Sequence, residues 1–146
     1  MKRPVPGIQI ESQPDEVIQR MGVYGEARGE SAVGKLAVLA VAATRAEKHG
    51  TSIGAQFLAP DQFSCFRHDD PNRGKLLGAW KDDEAAWAAC DAVCELHAAG
   101  LTGDPTHGAT HYYVANMPSP PHWGRGNPKW EELAVIGRHV FGVAHN

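Results

Sequence analysis

"KLAVLAVAATRA", residues 35–46, decides the fold. Between Lys35 and Arg45 every residue except Thr44 is apolar. The segment is therefore apolar nearly all round, not along one stripe, and a helix of that kind is buried on every side. Ser31 stands where an N-cap belongs and Gly50 where a helix stops. The spacing predicts a helix over 32–48 that forms the core of the domain.

The flanking segments read as layers around it. Ser12 is placed to cap an earlier helix, with Pro14 near its first turn and Asp15 and Glu16 at its positive end. Val17, Met21 and Tyr24 recur at i, i+4 and i+7, an apolar stripe that should end within 25–29. Residues 1–11 read as an extended arm. A short helix over 52–58 pairs Ile53 with Phe57 and stops at Pro60; residues 60–74 are loop-like. Asp82 caps a last helix over about 83–99, which Gly100 ends. The character then changes to a turn, a β-prone run over 110–114, and a Pro/Gly loop carrying Trp123 and Trp130. "LAVIGRHVF", 133–141, is either a strand or a short helix, and periodicity leaves both open. The fold class expected is α+β, mostly α, as one domain over 1–146 with a buried central helix and a small β element.

Composition narrows the function. A chain of 146 residues with 42% hydrophobic and 21% charged residues holds an ordinary globular core. The net charge of -3 and the lack of a basic run argue against a nucleic-acid partner. Lys2 and Arg3 are followed by Pro4 and Pro6 and no apolar stretch, so no signal peptide is expected. The longest apolar run is too short to span a bilayer, so no membrane insertion is expected. Three cysteines, Cys65, Cys90 and Cys94, argue against a disulfide framework and read as small buried thiols.

"VYGEARGE", 23–30, carries the candidate chemistry. Glu26 and Glu30 at i, i+4 could be a solvated helix face. Two features point elsewhere. Gly25 and Gly29 each weaken a helix by up to ~1 kcal/mol against Ala, which makes sense where something must come close. Glu26 also follows an apolar stripe, where burial raises a carboxyl pKa toward that of a general acid. A retaining glycosidase needs two carboxylates ~5–5.5 Å apart flanking the scissile bond. Glu26 and Glu30 project from one helix face, so they cannot flank a sugar. One acid, Glu26, with Glu30 in support, is the reading; Arg28 or Arg45 is the expected partner of Glu30.

Other sites are weaker. "HGATH" (His107, His111) has zinc-helix spacing but lacks the general-base glutamate and follows a turn. "CFRHDD" (Cys65, His68, Asp69, Asp70) crowds possible ligands into a loop without a defined metal spacing. Cys65 with His68 is a faint nucleophile pair. Tyr112, Tyr113, Trp123 and Trp130 gather in the last quarter, as core or as an aromatic groove for a sugar polymer.

Four ordered blocks, "YGEARGES..GKLAVLAVAATR", "P-x-QFSC", "DPTHGATHYY" and "IGRHVF", resemble the cell-wall hydrolase family typified by the spore-cortex-lytic enzyme of bacilli, with relatives among endolysins of tailed phages. The likeness runs from about Val17 to Phe141. It implies a lysozyme-like catalytic domain acting on peptidoglycan glycan strands as a lytic transglycosylase, with no cofactor and no metal. The first glutamate of the block, Glu26, is then the catalytic residue. Gln62, Ser64, His111, Tyr112 and Tyr113 fall in blocks expected to line the groove, with Trp123 and Glu30 also expected at the substrate. The family commonly has Asn-Arg where this chain has Thr44-Arg45. The spore enzymes carry a wall-binding module and a secretion signal not seen here, so the expectation is a monomeric phage or prophage endolysin. It would be made in the host cytoplasm and released through a holin. A muramidase using the same glutamate, a zinc-dependent wall peptidase or amidase, and a non-catalytic glycan-binding module are the competing readings.

Overall fold

The computed structural model describes residues 1–60 and 63–145. Among the described residues five α-helices, α1 (Asp15–Ala27), α2 (Ala32–His49), α3 (Ile53–Leu58), α4 (Ala79–Asp82) and α5 (Glu84–Ala98), precede three strands, β1 (His111–Val114), β2 (Trp130–Ile136) and β3 (His139–Ala144). The architecture is α+β and mostly α, as the sequence predicts.

Helix α2 is the core, with α1, α3 and α5 packed around it. Ala37, Val38, Leu39, Val41 and Ala42 are all fully buried. Ser31 Oγ accepts from Gly34 N at 3.2 Å, and Gly50 closes the helix with φ 67°, a left-handed conformation that glycine adopts without penalty. Helix α1 turns Val17, Met21 and Tyr24 inward, and Tyr24 Oη donates to Asp83 Oδ2 at 2.8 Å. Arg20 is buried between α1 and α5, where its guanidinium bonds Asp91 and Glu95, each at 2.7 Å.

Two boundaries differ from expectation. Ser12 does not cap α1: it sits in a 3-10 turn, Ile10–Ser12, and Pro14 occupies the cap position. Asp82 does not cap α5 either. It ends α4, and Asp83 precedes α5, its carboxylate spent on Tyr24. The arm over 1–11 packs along the helices: Trp87 Nε1 donates to Lys2 O at 2.9 Å, and Arg3 stacks over Trp80.

The β element is larger than expected. "LAVIGRHVF" is neither one strand nor a helix but the turn of a hairpin, because Ile136 pairs with His139 across Gly137 and Arg138. Gly137 has φ 57° at the first central position of this two-residue turn, which favours glycine and fits the twist of a hairpin. The antiparallel sheet has the order β1-β3-β2, with a bulge between Glu132 and Ala134. Strand β1 is thus an edge, and it packs against α2.

Candidate active site

Glu26 stands in the last turn of α1, half-buried, at the floor of a recess of about 510 Å³. The 3-10 turn Ser64–Phe66 lies against α1 at this point. Gly25 permits the approach. A Cβ there would stand 2.5 Å from Cys65 Sγ and 2.6 Å from Cys65 Cβ, which no side chain could tolerate. The close approach anticipated at this glycine is therefore made by the protein's own chain. Gly29 has a looser neighbour, the Arg138 guanidinium, 3.0 Å from where a Cβ would stand.

That approach surrounds the Glu26 carboxyl with donors. Burial raises its pKa; the backbone N–H and thiol of Cys65 and the backbone of Ser64 bond it and pull the other way, while the charge of Asp70 pushes it up. The net shift is upward, as a proton donor near neutrality requires. Tyr112 reaches the same carboxyl, and burial together with the Glu26 charge drives the Tyr112 phenol well above its ordinary value, so it stays a hydrogen-bond donor. Burial and the same carboxylate push the Cys65 thiol up too. Cys65 is therefore not a thiolate, and His68 beside it in sequence is 88% exposed, which leaves the nucleophile pair without an activating arrangement.

The recess gathers most of the residues singled out by sequence. Ser64, His111, Tyr112, Tyr113 and Trp123 all line it with Glu26. Tyr112 faces the helices, its ring 6.3 Å from Phe63 and 4.9 Å from His139. Tyr113 and His111 face the other way, toward Trp123, at 5.7 and 5.1 Å. Trp123, Tyr113 and Trp130 form one aromatic cluster, which stiffens the Pro/Gly loop and leaves Trp123 partly exposed on the recess wall. Gln62 lies outside the described residues.

Glu30 is placed elsewhere. Its side chain is 4% exposed and turned to the β2–β3 hairpin. Oε1 accepts from Arg138 N at 3.0 Å and Oε2 from Arg138 Nε at 2.9 Å. Burial works against its charge, but these bonds prevail and hold the carboxyl below its ordinary pKa. The expected partners do other work: Arg28 lies over the Tyr24 ring, and Arg45 donates to Thr110 O at 2.6 Å. Partner choice depended on a hairpin 108 residues away in sequence, which helix spacing cannot reveal. Glu30 also lies 3.6 Å from His139 Nδ1, and His139 carries the ring against Tyr112. Its link to Glu26 is thus through the hairpin and Tyr112.

Arg45, Arg67, Val114, Met117 and His139 line the recess without having been singled out for it. "IGRHVF" contained the signal for His139; nothing local marked the others. His107 and His111 fall in a turn and on β1, not on a helix. Among the described residues no three His, Cys, Asp or Glu side chains are grouped as metal ligands, and no helix is long and apolar enough to cross a membrane.

The recess adjoins two further clefts. It shares Arg67 with one lined by Phe63, Phe66 and Arg73, and shares Arg45, His111 and Trp123 with the other; these two meet each other at Ala59.

Known proteins share this fold. The catalytic domain of the Bacillus cereus SleB protein aligns over 97% of this chain and 97% of its own, with a TM-score of 0.58 and 23% identity. The catalytic domain of the germination-specific lytic transglycosylase SleB from Bacillus anthracis aligns over 94% of this chain and 98% of its own, again at 0.58 and 23%. The fold is therefore the lysozyme-like one of those domains. No curated protein sequence matches significantly. Residues 29–142, which hold α2, the Ser64 turn and the whole sheet, match the model of the family described as Cell Wall Hydrolase. Glu26 lies just ahead of the matched span, in a recess built mostly from residues within it. The chain belongs to the Cell Wall Hydrolase family and is an enzyme of that class.

Proposed function

We propose that the chain is a peptidoglycan lytic transglycosylase, cleaving between N-acetylmuramic acid and N-acetylglucosamine with Glu26 as its single acid and base. The observation that carries this reading is the Glu26 carboxyl itself: half-buried, raised in pKa, held by polar donors, and the one carboxyl lining its recess among the described residues.

Protonated Glu26 donates to the glycosidic oxygen as the bond to the muramyl anomeric carbon breaks. The oxocarbenium-like charge needs no second carboxylate if the substrate's own N-acetyl group stabilises it. Cys65 N–H, Ser64 and Tyr112 then stabilise the carboxylate left behind. That carboxylate removes the proton of the muramyl C6 hydroxyl as its oxygen closes on the anomeric carbon, giving a 1,6-anhydro end and restoring the acid. Proton transfer of this kind contributes ~10²–10⁴ in rate. Aromatic faces of Tyr113 and Trp123 and the flanking clefts would hold the strand and supply binding energy for distortion. The site residues in this reading are Glu26 for catalysis and Ser64, His111, Tyr112, Tyr113, Trp123 and Gln62 for the strand.

Mass spectrometry of muropeptides released from purified sacculi tests the proposal. Anhydro-muramyl ends that vanish in Glu26→Gln are expected. Reducing muramyl ends that vanish would make the enzyme a muramidase with the same acid. Stem-peptide fragments released equally by wild type and Glu26→Gln would overturn the glutamate mechanism. An endolysin role, as a monomer reaching the wall after release, is part of the proposal and follows the resemblance of the sequence blocks to phage enzymes. Lysis on expression only with a co-expressed membrane pore is its expected sign.

A further inference from the structure

Next to the Glu26 recess lies a larger one, about 790 Å³, whose lining reverses the charge of the protein. The chain carries a net charge of -3. Yet the described residues that line this recess include the cations Arg45, Lys48 and Lys129 beside His49, His111, His122 and His145, and none of them is Asp or Glu. The groups come from three places. Arg45, Lys48 and His49 are the last turn of α2, His111 begins β1, and His122 and Lys129 lie on the Pro/Gly loop. Asn127 fixes that loop: its Nδ2 donates to His122 O at 2.9 Å and its Oδ1 accepts from Lys129 N at 2.8 Å. His145 N, in turn, donates to Lys129 O at 2.9 Å. His145 Nε2 lies 3.0 Å from Glu131 Oε1.

Resting on the glycan-cleavage reading, we infer that this cationic recess is the subsite for the acidic stem peptide carried by the muramyl sugar at Glu26. Continuity with the Glu26 recess through Arg45, His111 and Trp123 supports this. A peptide on the lactyl group of the ring being cleaved must leave the groove beside that ring. Three or four extended residues reach roughly 10–14 Å, and they carry the carboxylates that Arg and Lys recognise. Arg45 and Lys48 sit close enough to lower the pKa of His111 after burial has already done so, to about 4, so His111 is a neutral wall between the two recesses. A phosphate-bearing wall polymer offers similar charge, but it is not tethered to the ring at Glu26.

The test uses Glu26→Gln protein, which binds without cutting, and soluble glycan strands with their peptides intact or removed by an amidase. Affinity about tenfold higher for the peptide-bearing strands is expected, a modest sum for a few exposed charge contacts. Adding Lys48→Glu and Lys129→Glu should close the gap, as should rising salt. Equal binding of both strands, or a gap that persists in the charge-reversed protein, overturns the subsite. A preference seen only when phosphate polymers remain on the wall assigns the recess to them instead. Binding of stripped strands in any of these results leaves the glycan reading standing; no binding of either strand overturns both.

Discussion

Gly25→Ala is the sharpest perturbation of this site, because it touches no substrate. The new Cβ would stand 2.6 Å from Cys65 Cβ and 2.5 Å from its Sγ. Carbon atoms in ordinary contact are 3.5–4.0 Å apart, so the Ser64–Phe66 turn must retreat by about 1 Å. Leu76 Cδ2, at 3.3 Å, is the tip of a flexible side chain and gives way easily. Overpacking costs about 1–3 kcal/mol, and replacing a helical glycine returns about 1 kcal/mol. Net destabilisation is therefore about 0–2 kcal/mol, a fall in Tm of up to roughly 8 °C. The protein stays folded while the donors around Glu26 move away, and a 1 Å misplacement costs activity on the order of 10²-fold. The assay is clearance of sacculus turbidity, with a thermal melt beside it. Cys65→Gly in the same protein removes both clashing atoms and should recover part of the activity, the thiol's own bond to Glu26 being lost with them; Cys65→Ala removes only Sγ and should not. Wild-type clearance by Gly25→Ala, or no recovery with Cys65→Gly, would refute the idea that this contact sets the acid.

Three further outcomes follow from the same geometry. Because Glu26 has a raised pKa when folded, its ionisation works against folding: the native state is favoured below the ordinary carboxylate pKa and loses that margin as pH rises through the folded value. Glu26→Gln should thus melt higher than wild type at neutral pH, and a lower melting point there would contradict the burial argument. Tyr112→Phe removes a donor to the Glu26 carboxylate, so the alkaline limb of the pH–rate profile should move to higher pH while the maximal rate falls; an unmoved limb would exclude the contact. Glu30→Gln weakens charged hydrogen bonds to Arg138, worth about 2 kcal/mol. The loss should be plain at neutral pH and shrink as acid protonates wild-type Glu30, whose folded pKa is lowered; denaturant melts across pH check this.

Helix α2 was legible because its signals are local. An apolar run, a serine cap and a glycine stop act within a few residues, and tertiary packing only had to agree with them. The same holds for α3, whose Ser52 accepts from Ala55 N at 3.1 Å. The errors fell where a side chain had a distant alternative. Asp82 reads as the cap of α5, but it ends α4, and Asp83, which stands at that cap, has its carboxylate taken by Tyr24. The 133–141 segment was ambiguous because its pattern spans a turn, and only the pairing of Ile136 with His139 shows where one strand ends.

The sequence by itself determined that Glu26 follows an apolar stripe beside a glycine, and that aromatic residues gather late in the chain. Only the tertiary structure decided what those facts mean. It set Cys65 against Gly25, brought Tyr112 to the carboxyl from an edge strand, and drew Glu30 to Arg138. The physical reason is that burial and hydrogen bonding, which fix a carboxyl's proton affinity, depend on neighbours in space. For Glu26 those neighbours lie about forty and eighty-six residues away along the chain, and no periodicity reaches that far.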